Sequence, residues 1–273
     1  MKRLAVFTQS CGGEHLTHML ESIRLNTDWV RVQLQVFIAI DPLPGMDHEV
    51  NSQLCWLTNN YPWFKFVMVE DIPGALRHRG LQGIVLVWLY RKMIEEGHNT
   101  FFHVNDDVSF AKWWDVAALS ALDDMGGGGV VIPHDGISCM NQPSGVFSNF
   151  HMFDDVYVQI CCPRIGGESL PYYPGNQCYW QDTEFVLRAH HYGRLIYEPR
   201  CVVNHLHWSR CPSMLSQGKR RQSGADANED AVVFAEHMRN EGINIWKVAD
   251  RIGFNMGSWK GRAGAALEAL KIL

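Results

Sequence analysis

Short apolar runs alternate with helix-spaced apolar positions through the first half of the chain, and that alternation predicts a mainly parallel sheet with helices on its faces. Residues 4–8 form a first apolar run, and residues 14–25 carry Leu16, Met19, Leu20 and Ile23 on one helical stripe. A second strand over 32–40 ends at Asp41, where Pro42 and Pro44 force a turn. A third over 64–69 runs into Glu70 and Asp71, and a long helix over 81–96, closed by Gly97, leads to a strand over 100–104. Beyond Asp107 the pattern loosens. Glycines 126–129 precede a strand over 130–133, residues 142–175 are rich in Gly, Pro, Asn and aromatic side chains, and a helix is expected over 182–191. Strands over 195–198 and 201–207 follow, then a polar stretch over 212–228 expected to be mobile, and helices over 229–240 and 261–273.

At 273 residues and 47% apolar composition the chain has material for one large core, read as a single domain with a C-terminal helical extension. No apolar run reaches membrane-spanning length and the N-terminus passes straight into a strand pattern, so a soluble, cytoplasmic protein is expected. The 8 cysteines show no repeated CxxC spacing and Cys161 adjoins Cys162, which points to reduced thiols rather than a zinc ribbon or a disulfide framework. A net charge of −5 argues against a broad nucleic-acid footprint and leaves room only for local basic patches, at Arg77-His78-Arg79 and Lys219-Arg220-Arg221.

The richest chemistry lies where the strand Phe101-Phe102-His103-Val104 runs into Asn105-Asp106-Asp107. Adjacent carboxylates repel without a cation, and their hard oxygens suit Mg²⁺ or Mn²⁺, ions that complete their shells with water and phosphate oxygens. Asp-Asp is also turn and cap chemistry, the reading given to Asp123-Asp124 and Asp154-Asp155. In an open sheet ligands sit outside the carboxyl ends of the strands, so Ser10, Asp41, Asp71 and Asn105 to Asp107 are expected on one rim.

Further along come Trp180-Gln181-Asp182-Thr183-Glu184-Phe185, then Arg194-Leu195-Ile196-Tyr197-Glu198-Pro199, then Val203-Asn204-His205-Leu206-His207. With the acidic strand end, this order resembles the GT-A fold glycosyltransferases, family 2 in particular. The resemblance covers residues 1 to about 210, by organisation rather than close identity. It implies a GT-A-type, Rossmann-like α/β catalytic domain over 1–210, with a nucleotide-sugar half to about 108 and an acceptor half beyond it, and an extension over 211–273. It further implies Mn²⁺ or Mg²⁺ held by Asp107 and His205 with Asp106 nearby, and Asp182 as catalytic base. The donor diphosphate sugar would meet Thr8, Ser10, Asp41, Asn105, Asp106 and the run Lys219, Arg220, Arg221, and the acceptor would meet Trp180, Gln181 and Glu184. Two positions depart from the family pattern: Asn105 replaces the first acid of the DxD-like motif, and Gln181 replaces the Glu of the usual Glu-Asp pair.

The implied activity is metal-dependent, inverting transfer of a sugar from a nucleotide-diphosphate donor to an acceptor hydroxyl. Such a reaction needs charge stabilisation on the leaving diphosphate, a base for the hydroxyl and a dry site. Competing readings are a nucleotidyltransferase or diphosphate hydrolase on a similar sheet, and a nucleotide-sugar-binding protein without turnover. His205 and His207 face one side of a strand and suit a metal, or are ordinary hydrogen-bonded histidines; Asp182 is a base or a favourable charge at a helix start. The acceptor is open among a glycan, a lipid-linked precursor, a protein side chain and a modified DNA base. Trp113, Trp114, Trp180 and Trp208 lie near the motifs as stacking faces or core residues.

Overall fold

The computed structural model describes residues 2–77, 82–136, 150–175, 181–206 and 227–252. Its strands are β1 (Lys2–Ser10), β2 (Val32–Ile40), β3 (Phe64–Met68), β4 (Thr100–His103), β5 (Val108–Phe110), β6 (Val130–His134), β7 (His151–Asp154), the short pair β8 (Arg164–Ile165) and β9 (Glu168–Ser169), and β10 (Leu195–His205). The helices are α1 (Glu14–Asn26), α2 (Asp47–Asn60), α3 (Gln82–Glu95), α4 (Trp114–Asp124), α5 (Asp155–Cys161), α6 (Gln181–His191), α7 (Ala227–Asn240) and α8 (Ile245–Ile252). One eight-stranded sheet, in the order β3-β2-β1-β4-β7-β6-β10-β5, organises the molecule.

β3, β2, β1 and β4 run parallel, as the alternating pattern predicts. Alternate residues of these strands feed two cores. Leu4, Val6, Phe102 and Val104 pack with the α1, α2 and α4 stripes, whereas Ala5, Phe7 and Phe101 pack with α3 and α6. Gly97 closes α3 in a left-handed conformation at φ 79°, with Gly97 N–H bonded to Ile94 O and His98 N–H to Met93 O. Trp114 is wholly buried, stacked on Phe102, while its neighbour Trp113 is about half exposed.

Two departures from the sequence pattern shape the second half. The loop-like stretch after residue 142 contains β7, which pairs antiparallel with both β4 and β6, and α5, capped by the Asp154 side chain on Tyr157 N–H. The two strands expected over 195–207 form one strand, β10, which changes partner along its length. Its first part runs parallel to β6, its last part antiparallel to β5, and the ladder shifts between Glu198 and Val202. Pro199 lies in that gap and has no N–H for a ladder bond; Glu198 meanwhile holds Arg200 through two charged hydrogen bonds at 2.7 and 2.8 Å.

This topology sets the position of every strand end. β7 opposes both β4 and β6, so β6 and β10 run in the same direction as β1 and β4. Ser10, Asp41, Asn105 to Asp107, Asp135 and His205 therefore reach one edge of the sheet, together with His151 at the start of β7.

Among the described residues no helix is long and apolar enough to cross a membrane. The described cysteines are free thiols, Cys55 exposed and Cys11, Cys161, Cys162 and Cys201 buried.

Candidate functional site

At the centre of the rim, β4 hands the chain to β5 through Asn105-Asp106-Asp107. Asp106 is buried, and one of its carboxylate oxygens accepts a 2.6 Å bond from the Ser10 hydroxyl, which itself accepts from Gly12 N–H at 2.9 Å. The acidic turn is thus tied to the end of β1. Asp107 faces the last residue of β10: its Oδ1 lies 3.2 Å from His205 Nε2, and its backbone carbonyl accepts from Leu206 N–H at 2.7 Å. His205 N–H in turn donates to Asp135 O at 3.1 Å, and its ring sits 4.9 Å from that of Phe150. Residues almost a hundred positions apart in the chain thus present a carboxylate oxygen and an imidazole nitrogen to one point. A carboxylate oxygen and an imidazole nitrogen are both donors that a divalent ion accepts.

Asp41 stands at the end of β2, nearly buried, with its N–H on Ser10 O at 2.8 Å. Arg77 spans this corner, 2.7 Å from Asp47, 3.1 Å from Glu70 and 3.8 Å from Asp41. Thr8 is buried in β1 beside Ile38, two positions short of the rim residue Ser10. The glycine turn Gly12-Gly13, at φ 79° and 92°, lets the chain leave β1 and start α1 at once, and Gln53 clamps it through Gly13 N–H and O at 2.8 and 2.6 Å.

Asp182 sits in the first turn of α6, a helix that joins a buried aromatic cluster with His151 of the rim. Phe185, one turn on, stacks on His151 at 4.2 Å and 18°; His151 pairs across the ladder with His103 and bonds the Tyr172 hydroxyl at 2.7 Å. His103 lies four residues before Asp107. Burial pushes the Asp182 carboxyl up, against hydrogen bonds from Thr183, whose N–H donates to Oδ1 at 2.7 Å. The same burial holds His103 neutral, pulled down to about 3. His103, His151, Tyr172 and Asp135 are additions to the residues singled out from sequence. Asp135 carried a readable signal, an apolar strand ending in an acid like those before Asp41 and Asp107.

Glu184 lies elsewhere than expected of an acceptor contact. It points inward, 2% exposed, where its Oε1 accepts from Arg188 at 2.6 Å and meets His237 Nδ1 at 2.8 Å. Arg188, fully buried, also holds Glu241 at 2.7 Å, so the group pins α7 to α6. Burial would raise the Glu184 carboxyl, but the guanidinium and His237 bring it below its ordinary value. Glu184, His237 and Glu241 are near enough to one another to hold a metal ion, yet the guanidinium already bonds the same oxygens of both carboxylates. The cluster is therefore read as an ion-paired anchor. Arg188→Met, which leaves the buried Glu184 and the partly buried Glu241 without their guanidinium, is expected to cost about 3–5 kcal/mol, measured by urea unfolding. Gln181 is buried at the head of α6; Trp180, His207 and Lys219, Arg220 and Arg221 lie outside the described residues.

No family model and no curated protein matches the chain. Its fold is nevertheless shared with solved glycosyltransferases. The S. aureus TarS 1-349 complex with UDP-GlcNAc aligns with a TM-score of 0.59 at 12% identity, over 99% of this chain and 79% of that one. TarS 1-349 with UDP gives 0.60 at 11%, over 95% and 73%, and GalNAc-T7 with UDP, GalNAc and Mn²⁺ gives 0.56 at 10%, over 94% and 57%. Against a longer S. aureus TarS chain the match covers 94% of this chain but 43% of that one. The fold is of the GT-A type.

Proposed function

We propose that the chain is a metal-dependent, inverting glycosyltransferase that moves a sugar from a nucleoside diphosphate to an acceptor hydroxyl, with residues 1–210 as its catalytic unit. The observation that supports this reading is the meeting of Asp107 and His205 at 3.2 Å, on the rim where the strands end. An ion held there by Asp107 and His205 would supply Lewis-acid neutralisation of the charge that gathers on the departing diphosphate.

The chain's own residues account for the rest. Ser10 fixes Asp106 and with it the acidic turn, so that the donor meets a rigid loop. Asp182 accepts the acceptor's hydroxyl proton while the freed oxygen pair bonds the anomeric carbon, and the bond from that carbon to the diphosphate oxygen breaks on the opposite face. Configuration inverts as a consequence. A carboxyl raised by burial is a stronger base than an ordinary aspartate, which suits Asp182 to the task. Asp41 is assigned to the nucleobase and the run Lys219, Arg220, Arg221 to the diphosphate. The UDP held by the TarS and GalNAc-T7 neighbours makes uracil the first base to test.

Thermal-shift titration with UDP, GDP, CDP and dTDP, each with and without Mn²⁺, tests the reading. A nucleotide bound only by the folded chain raises its melting temperature. UDP is expected to do so in the presence of Mn²⁺; no shift with any nucleotide, or one indifferent to the metal, would refute the proposal.

A further inference from the structure

At the other end of the sheet, where the parallel strands begin, four aromatic rings from three loops and helices form a continuous row. Trp29 precedes β2, Trp63 precedes β3, and Trp56 and Tyr61 belong to the end of α2. Ring centroids follow one another at 5.2 Å from Trp29 to Trp63, 5.3 Å from Trp63 to Tyr61 and 5.9 Å from Tyr61 to Trp56. Trp56 is 50% and Trp29 38% exposed, while Tyr61 is buried and Trp63 partly so, which makes a row anchored in the core and open to solvent at its ends. Nine residues of β2 separate this face from Asp41, roughly 30 Å at the rise of a strand.

The polar groups around the rings are paired among themselves. Glu21 takes two hydrogen bonds from Arg24 and a third, at 3.0 Å, from the Tyr61 hydroxyl, and Arg31 lies 3.5 Å from Asp28. The frame therefore carries hydrogen-bonding capacity without net charge. An anionic lipid surface is met by an excess of Lys and Arg, which this frame lacks. Uncharged sugars present apolar C–H faces to aromatic rings and hydroxyl edges to carboxylate and guanidinium groups, so both halves of the surface have a counterpart on a glycan.

We propose that Trp29 and Trp56, the exposed rings of this row, with the partly exposed Trp63 between them and the buried Tyr61 as their anchor, form a binding platform for an uncharged oligosaccharide chain, remote from the rim. The proposal stands on these rings and does not need the transfer reaction.

The test is native affinity electrophoresis through gels containing soluble glucan, galactomannan or glycol-chitin, with tryptophan fluorescence titration by hexasaccharides of glucose, mannose and N-acetylglucosamine. Retardation by at least one polymer and saturable fluorescence change with its hexasaccharide are expected. Trp56→Ala and Trp29→Ala should each weaken binding by about tenfold, while Trp56→Tyr retains most of it. Both positions are solvent-facing, and an unchanged melting temperature in each variant would confirm folding. The Mn²⁺-dependent shift with UDP should be the same in all three, which separates this inference from the reading of the rim. No retardation by any polymer would overturn the platform, as would binding unchanged in both alanine variants. Self-association of the wild type that the alanine variants abolish would also overturn it, assigning the face to a second copy of the chain; capture by phosphatidylcholine vesicles would assign it to a membrane surface.

Discussion

Asp107→Ala is expected to abolish the Mn²⁺-dependent stabilisation by UDP and to lower sugar transfer by a factor on the order of 10²–10⁴, the equivalent of several kcal/mol of lost charge stabilisation. The side chain lies at the strand end, only partly buried, and its Oδ1 faces His205 Nε2 at 3.2 Å. Removing it leaves the imidazole without its anionic partner, and a lone imidazole does not hold a hard divalent ion. The fold should survive, because the turn stays tied through Asp106 to Ser10 and through the residue 107 carbonyl to Leu206 N–H. Circular dichroism and melting of the unliganded variant check that. His205→Ala should follow the same direction with a smaller loss, since the carboxylate remains.

Asp182→Asn is expected to separate binding from chemistry. The amide keeps the shape of the side chain but has no basic oxygen, so transfer should fall by on the order of 10²–10⁴ while UDP and Mn²⁺ bind as before. The effect should appear in kcat with little change in the donor KM. The pH profile gives a second readout. The base works only when ionised, and burial raises its carboxyl above the ordinary aspartate value near 3.9; the acid limb of the wild-type profile should therefore fall above that value and rise with pH. A nucleotidyltransferase or diphosphate hydrolase using the same carboxylates would show no such dependence of glycosyl transfer on Asp182. An Asp182→Asn variant with full transfer activity would remove the base from the mechanism.

The parallel half of the fold was legible because its strands carry apolar runs, unbroken and buried over residues 36–40 of β2, and because α1 and α3 carry apolar stripes with clear ends. α2 went unread: only Val50, Leu54 and Leu57 are buried in a polar segment, too thin a stripe to stand out. β7 and α5 lay inside a stretch whose glycines, prolines and aromatics suggested loop throughout, and only pairing with β4 and β6 gives His151–Asp154 its extended form. Motif spacing brought forward Asp107, Asp182 and His205 as candidates, and the fold sets Asp107 beside His205. For Glu184 it suggested an exposed role, whereas the side chain turns inward to Arg188 and to His237, a partner 53 residues away that leaves no mark on local pattern. The row from Trp29 to Trp56 was hidden for the same reason, since its members come from separate segments that only β2 and β3 bring side by side.

The central claim is that a divalent ion joins Asp107 and His205 to a nucleotide's diphosphate. Anomalous diffraction at the manganese edge, from crystals grown with UDP and Mn²⁺, tests it most directly. The account predicts a single strong peak at about 2.0–2.2 Å from an Asp107 carboxylate oxygen and from His205 Nε2. A peak among Glu184, His237 and Glu241 instead, or UDP bound on the rim with no peak beside Asp107, would contradict it.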